Sequence, residues 1–240
     1  MLDLHCHILP GLDDGAPDET VSLAMAAMAA DSGVTHIFAT PHCNTHSEQK
    51  NYRSASLIDA YRSLQRRIDE AGIPLKILAG AEVLARGSFF RRLAEGDFMT
   101  LNGSRYLLVE FYFDEDPAFM EQCLLEAEAA GLVPVVAHPE RYFCVQNAPE
   151  LAQRWAERGR VLQLNKESLL GGLGERAFDT AALLLRRGAV SAIASDAHDF
   201  RWRDPHMGGL LDVLERRFPE ADPGLLLYET PLKIARDEAL

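Results

Sequence analysis

Five glycines punctuate this chain at the same point of a recurring unit. Gly33, Gly72, Gly131, Gly159 and Gly188 each close a helix-like stretch, and the next short β-branched or apolar run begins within about five residues. The helix-like stretches span residues 18–32, 54–71, 118–130, 149–158 and 174–187. The seven runs span residues 2–7, 35–39, 76–81, 106–111, 133–137, 161–164 and 190–194. Strand and helix alternating at this spacing predict an α/β fold built on a parallel sheet or barrel. No Pro/Gly/Ser-rich linker interrupts the rhythm, so a single domain over residues 1–240 is expected.

Polar residues keep phase with this rhythm. His5 and His7 end the first run, His42 follows the second in "ATPH", Glu82 follows the third in "GAE", and Glu110 ends the fourth in "VEF". His138 ends the fifth in "AHPER", Gln163 and Asn165 close the sixth, and Asp196 and His198 follow the seventh in "SDAH". In a parallel barrel every strand C-terminus opens on one face, so these positions would converge on one mouth. His5 and His7 alternate on a strand and project from the same side. Glu110 interrupts "YLLVEFYF", where an ionised acid needs partners or a metal. An H-x-H pair or a lone loop acid is common on any protein; the signal lies in the convergence. Imidazoles suit Zn, Mn or Fe, and a carboxylate can bridge two ions, so the set predicts a multinuclear metal site.

Composition narrows the function classes. Lys+Arg 24 against Asp+Glu 36 give a net charge of −12, which repels a phosphate backbone and argues against nucleic acid as partner. No apolar run approaches the ~18 residues needed to span a bilayer. The opening "MLDLHCH" lacks a basic segment followed by an apolar one, so no cleaved leader is expected. Cys6, Cys43, Cys123 and Cys144 form no C-x-x-C pair and are read as reduced, mostly buried thiols of a cytoplasmic protein. A thiol phosphatase needs C-x5-R, but the positions six beyond each cysteine are Leu12, Gln49, Ala129 and Glu150. "DEDPA" reads as a helix start, with Asp116 as N-cap and Pro117 at the first helical position. "GLGERA" fits a dinucleotide pattern, but no strand runs directly into it.

The segments "HCHILPGLDDGA", "ATPH", "GAE", "VEF", "AHPER", "LQLNKESLLGGLG" and "SDAHD…RDPHM" follow in order along almost the whole chain. In them the chain resembles the polymerase-and-histidinol-phosphatase (PHP) superfamily, and within it the bacterial PHP-type protein tyrosine phosphatases of capsule and exopolysaccharide clusters. The resemblance implies a distorted (β/α)7 TIM-like barrel and three divalent transition-metal ions, manganese foremost with iron or zinc as alternatives. It assigns His5, His7, Glu82 and Asp196 to one ion. Glu82 would bridge to a second ion completed by Glu110 and His138, and Asp14, His42 and His198 would hold the third. Asp13 is given a loop-capping role. Arg141, three residues beyond His138, and Arg203, seven beyond Asp196, match the family's phosphate-binding arginines. Guanidinium forks suit phosphate oxygens.

The implied reaction is attack of a metal-bridging hydroxide on the phosphorus of phosphotyrosine. The implied partner is a tyrosine-phosphorylated protein, the tail of a bacterial tyrosine kinase governing capsule or exopolysaccharide synthesis. One stretch departs from the family pattern. T-P-H-H is common there, whereas this chain has "TPHCNTHSEQKNYRS", with Cys43 in place of the second His. His46 and Tyr52 in that loop are candidates to touch substrate, and Trp202 in "RWR" is a candidate aromatic wall. The nearest alternative is a histidinol-phosphate phosphatase of the same superfamily. Asp14 favours the tyrosine phosphatases, since many other members place a His there. A PHP nuclease or polymerase-associated module sits poorly with the acidic balance and short length, and a non-catalytic scaffold poorly with a full ligand set.

Overall fold

The computed structural model describes residues 1–45 and 50–240, so His46 lies outside the described residues. Every ladder between its named strands is parallel. The strands are β1 (Leu2–Cys6), β2 (His36–Ala39), β3 (His42–Cys43), β4 (Lys76–Ala79), β5 (Glu82–Leu84), β6 (Tyr106–Glu110), β7 (Val133–Ala137), β8 (Val161–Asn165) and β9 (Ala192–Ala194). They form a three-stranded sheet, β1-β2-β4, and a six-stranded sheet, β3-β5-β6-β7-β8-β9. The seven runs of the sequence are all strands, yet they do not make one seven-stranded sheet.

The reason lies in two adjacent breaks. The second run stops at Ala39: the Thr40 amide still donates to the Cys6 carbonyl at 2.9 Å, but Pro41 has no N–H with which to carry the ladder on. The third stops at Gly80, where a Cβ would meet Leu101 at 2.9 Å and the Thr40 methyl at 3.1 Å. Beyond the breaks the chain resumes as β3 and β5, which belong to the other sheet. The Glu82 amide donates to the Pro41 carbonyl at 3.2 Å, tying the resumed strands together. On the far side, the Asp196 amide donates to the His5 carbonyl at 2.8 Å and the His7 amide to the Ala197 carbonyl at 2.9 Å. One edge of the smaller sheet, β1, is therefore bonded to the segment that follows β9 of the larger one.

All five expected helices form, as Glu19–Asp31, Ala55–Glu70, Pro117–Ala129, Glu150–Glu157 and Glu175–Arg186. Asp18, Ser54 and Asp116 cap the first three by accepting from Val21, Leu57 and Ala118 amides. Phe89–Glu95 is too short to show helical periodicity, and Gly208–Arg217 opens on two poor helix formers, so neither stands out in the sequence.

One small apolar cluster positions the site. It gathers Leu4, Phe38, Leu108, Val135, Val161 and Ala192, with Leu78 packed against it. Two residues further on, the same strand faces carry Glu110 after Leu108 and Gln163 after Val161, and Ala192 leads through Ala194 to Asp196. An apolar floor thus passes directly into a polar cluster at the strand ends.

Candidate metal centre and active site

His5 and His7 leave β1 fully buried, and each ring is held from behind. The His5 Nδ1–H donates to the Gln163 amide oxygen at 2.9 Å, and the His7 Nδ1–H to the Asp13 carboxylate at 2.7 Å. Those partners fix the tautomers, leaving two Nε2 lone pairs facing each other 3.1 Å apart. Glu82 Oε2 stands 3.3 Å from both Nε2 atoms, and Asp196 Oδ1 at 3.5 and 3.4 Å. Four donors around one ion at a bond length of about 2.1 Å lie ~3.4 Å from one another. The spacing of these donors, and lone pairs that repel without a cation between them, suit a divalent ion.

The remaining candidates adjoin this set. Glu82 turns its other oxygen to His138 Nε2 at 3.0 Å, and Glu110 Oε1 lies 3.6 Å from the same nitrogen. His42 Nδ1 is 2.9 Å from Glu82 and 3.6 Å from Glu110. On its other edge, His42 Nε2 is 3.4 Å from Asp14, and His198 Nε2 is 3.6 Å from Asp14. Three donor groups with ligand atoms within 4.8 Å of one another result: His7, Asp14, His42 and His198; His5, His7 and Asp196; and His42, Glu82 and Glu110. All nine candidate ligands are thus contiguous. The grouping is closer-knit than a clean division among three ions, since His7 and His42 each join two groups.

Titration follows from this crowding. Burial, then the charge of Glu82, pushes the Glu110 carboxyl up to about 8. Burial, then the charge of His7, pushes His198 down to about 2. For Asp196, burial alone would raise the carboxyl, but His5, His7 and Arg203 outweigh it and hold it well below the ordinary range. Backbone strain accompanies the chemistry: His138 and Asp196 adopt φ of 33° and 49°, a left-handed region costly for non-glycine residues. Gly15 is demanded by close approach, because a Cβ there would lie 2.1 Å from the His7 carbonyl oxygen.

Seven of the nine candidates line a cavity of about 190 Å³ together with Arg141, Arg203 and Phe113. His5 and His7 lie beneath it. Arg203 pairs with Asp196 Oδ2, and Arg141 Nη1 lies 3.6 Å from the same oxygen. The Arg141 guanidinium rests 4.3 Å from the Phe113 ring centre, which also meets His138 edge-on at 6.2 Å. A larger hollow of about 380 Å³, lined by Arg53, Leu93, Phe98 and neighbours, gathers no such set of ligands. The thiols stand apart: Cys6, Cys43 and Cys123 are buried, and burial raises all four above the usual thiol range.

Sequence reasoning missed several roles. Asp13 does cap its loop by accepting from the Gly15 amide at 3.0 Å, but the same carboxylate orients His7 and accepts from the His42 amide at 2.9 Å. Asp3 is buried and accepts from the Ser195 amide at 2.9 Å, pinning the turn before Asp196. The alternation Asp3, His5, His7 was a usable signal for it. Nothing in the sequence marked Phe113. Tyr52 does not line the cavity; its hydroxyl donates to Asn44 at 2.8 Å and its ring packs near Phe98. Trp202 is 85% exposed, outside the cavity lining.

A parallel α/β frame with nested imidazoles and carboxylates at its strand ends defines a protein able to bind divalent metal. The family model for capsular polysaccharide synthesis proteins of the CpsB/CapC type matches residues 1–236. The chain belongs to that CpsB/CapC family. It is 36% identical over 232 residues to the tyrosine-protein phosphatase YwqE of Bacillus subtilis (strain 168), covering 97% of this chain and 91% of the relative. To the tyrosine-protein phosphatase CpsB of Streptococcus pneumoniae it is 26% identical over 245 residues, covering 100% of both. Among solved structures, the crystal-structure work on YwqE and CpsB from the same two organisms describes unique metal-dependent tyrosine phosphatases. The match there has a TM-score of 0.91 at 34% identity, covering 100% of this chain and 96% of the other.

Proposed function

We propose that this protein is a metal-dependent protein-tyrosine phosphatase, acting in the cytoplasm on a tyrosine-phosphorylated protein such as the tail of a kinase controlling capsule or exopolysaccharide synthesis. The observation that carries the reading is the composition of one cavity: imidazole and carboxylate donors, most of them buried or half-buried, two guanidiniums and one aromatic wall. Residues 1–240 would form one domain, a distorted (β/α)7 barrel. Its support is the parallel pairing of every named strand and the bonds that join β1 of the smaller sheet to the segment after β9 of the larger. Among the described residues no helix is long and apolar enough to cross a membrane.

The nine candidate ligands His5, His7, Asp14, His42, Glu82, Glu110, His138, Asp196 and His198 would hold three divalent ions, manganese foremost. Bound there, such ions would lower the pKa of water and clamp phosphoryl oxygens. The chain's own groups do the rest. Arg141 and Arg203 would exchange Asp196 for the phosphoryl oxygens, over which transition-state charge spreads. Phe113, the one apolar side chain lining the cavity among the described residues, would face the phenyl ring of the substrate and steady Arg141 beneath it. A phenol of pKa about 10 leaves more readily than an alkoxide and asks little of a proton donor.

The test compares turnover of a phosphotyrosyl peptide and of histidinol phosphate on stripped and Mn²⁺-reconstituted protein. Chelation should abolish activity, Mn²⁺ should restore it, and the peptide should be preferred. Full activity after exhaustive stripping rejects the metal reading, and preference for histidinol phosphate rejects the substrate.

A further inference from the structure

We propose that Lys166 is a positioning residue for Arg203, clamping the irregular segment that presents this guanidinium to the cavity. The inference rests on the reading of Arg203 as a phosphate-binding side chain. Lys166 begins the short helix Lys166–Leu170 directly after β8 and is 1% exposed, among the largest fully buried side chains of the described residues. Burying an ammonium is costly unless its donors are matched. Here the match is complete: Nζ donates to the Asp204 carbonyl at 2.7 Å, the Asp204 carboxylate at 2.9 Å and the His206 carbonyl at 3.1 Å, three acceptors for three N–H groups. Glu167 adds a second negative charge at 3.3 Å.

The clamped residues follow Arg203 immediately. On the other side, the Arg203 carbonyl accepts from the His198 amide at 2.8 Å and the Asp199 amide at 3.2 Å. Arg203 therefore sits between two anchors, one leading to the candidate ligand His198 and the other to Lys166. No strand or helix covers residues 199–206, so charge-assisted contacts take over the task that a hydrogen-bonded ladder performs elsewhere. The neighbours of Lys166 act in the same sense: Asn165 donates to Asp196, and Ser168 donates at 2.6 Å to Glu140, which precedes Arg141. Of the seven runs legible in the sequence, the one that becomes β8 is followed by no candidate ligand. It supplies the brace.

The experiment is a double-mutant cycle on Mn²⁺-loaded protein with a phosphotyrosyl peptide, using Lys166→Met, Arg203→Ala and the combination, with metal content and inorganic phosphate affinity measured on each. A displaced guanidinium should cost about ten- to a hundredfold in kcat/KM. Lys166→Met should show that loss and weaker phosphate binding while keeping its metal. In the Arg203→Ala background, the same change should alter kcat/KM by less than about twofold, since the residues act as one unit. Asp204→Asn loosens the clamp from the other side without stranding the ammonium, and decides the matter in the same cycle if Lys166→Met does not fold. Equal effects of the clamp variant in both backgrounds, or wild-type kinetics in the single clamp variant, overturn the proposal. If Arg203→Ala itself is silent, Arg203 leaves the site and the reading beneath the proposal falls with it.

Discussion

The inner and outer ends of the candidate site are built differently. His5, His7, Glu82 and Asp196 are almost entirely buried, and the two rings and Asp196 are held from behind, by Gln163, Asp13 and Asn165. At the mouth, the Asp14 side chain is 64% exposed and reaches His42 and His198 across 3.4 and 3.6 Å. The inner set is a piece of core whose donors are already in place, so an ion entering it orders nothing. The outer set has to order a solvated carboxylate on binding. The difference implies graded affinity, tight within and weak at the mouth.

The largest expected effect sets the two ends against each other. Asp196→Ala should lose metal from the inner set and drop phosphatase activity by about 10³-fold or more, as when charge-stabilising groups leave a metal site. Asp14→Ala should retain inner metal and substantial activity at high Mn²⁺. Metal content and kinetics on both variants check this; equal metal loss in the two would erase the gradient.

A smaller effect separates holding metal from holding phosphate. Arg141→Ala and Arg203→Ala should each lower kcat/KM by about 10²–10³-fold with metal content unchanged, the usual loss for one preorganised donor. Lys at either position should rescue in part, because a point charge lacks the fork. Near-normal kinetics in both alanine variants would return these arginines to the surface.

Burial beside the inner set has a pH signature. Glu140 is wholly buried, accepts from the Asn165 amide at 2.9 Å and from Ser168, and burial pushes its carboxyl up to about 7 from an ordinary 4.5. Between those values the folded state binds the extra proton, so stability should fall as pH rises through that window. The loss from this group should reach about 3 kcal/mol above pH 7 and vanish below 4.5. Denaturant melts of metal-free wild type and Glu140→Gln across the window test it. Parallel pH profiles in the two would count against a buried neutral acid.

The smallest effect concerns support from behind. Asp13→Asn keeps the shape of the loop but weakens the partner of His7, and should cost about 10–100-fold in metal affinity, as such orienting partners do. Competition with a chelator of known affinity measures it. An unchanged affinity would mean the inner set owes its order to burial alone.

By itself the sequence determined the strand–helix alternation and the polar residues at the strand ends, because both are local patterns. A glycine closes a helix wherever its φ is needed, and a residue at a strand end stays there whichever sheet the strand joins. Hence the seven runs, the five glycine-closed helices and the contiguity of His5, His7, Glu82, His138 and Asp196 were all legible in order along the chain. Tertiary structure alone decided how those patterns meet. The break at Thr40–Pro41 moves strands between sheets because its neighbour across the sheet, Gly80, yields at the same level, and no local signal couples two sites so far apart in sequence. The roles of Asp13, Gln163, Asn165 and Lys166 depend on partners brought together only by folding, 158 residues apart for Gln163 and His5. Phe113 reads as an ordinary aromatic near a strand end until the fold lays Arg141 across its face and turns it toward the cavity.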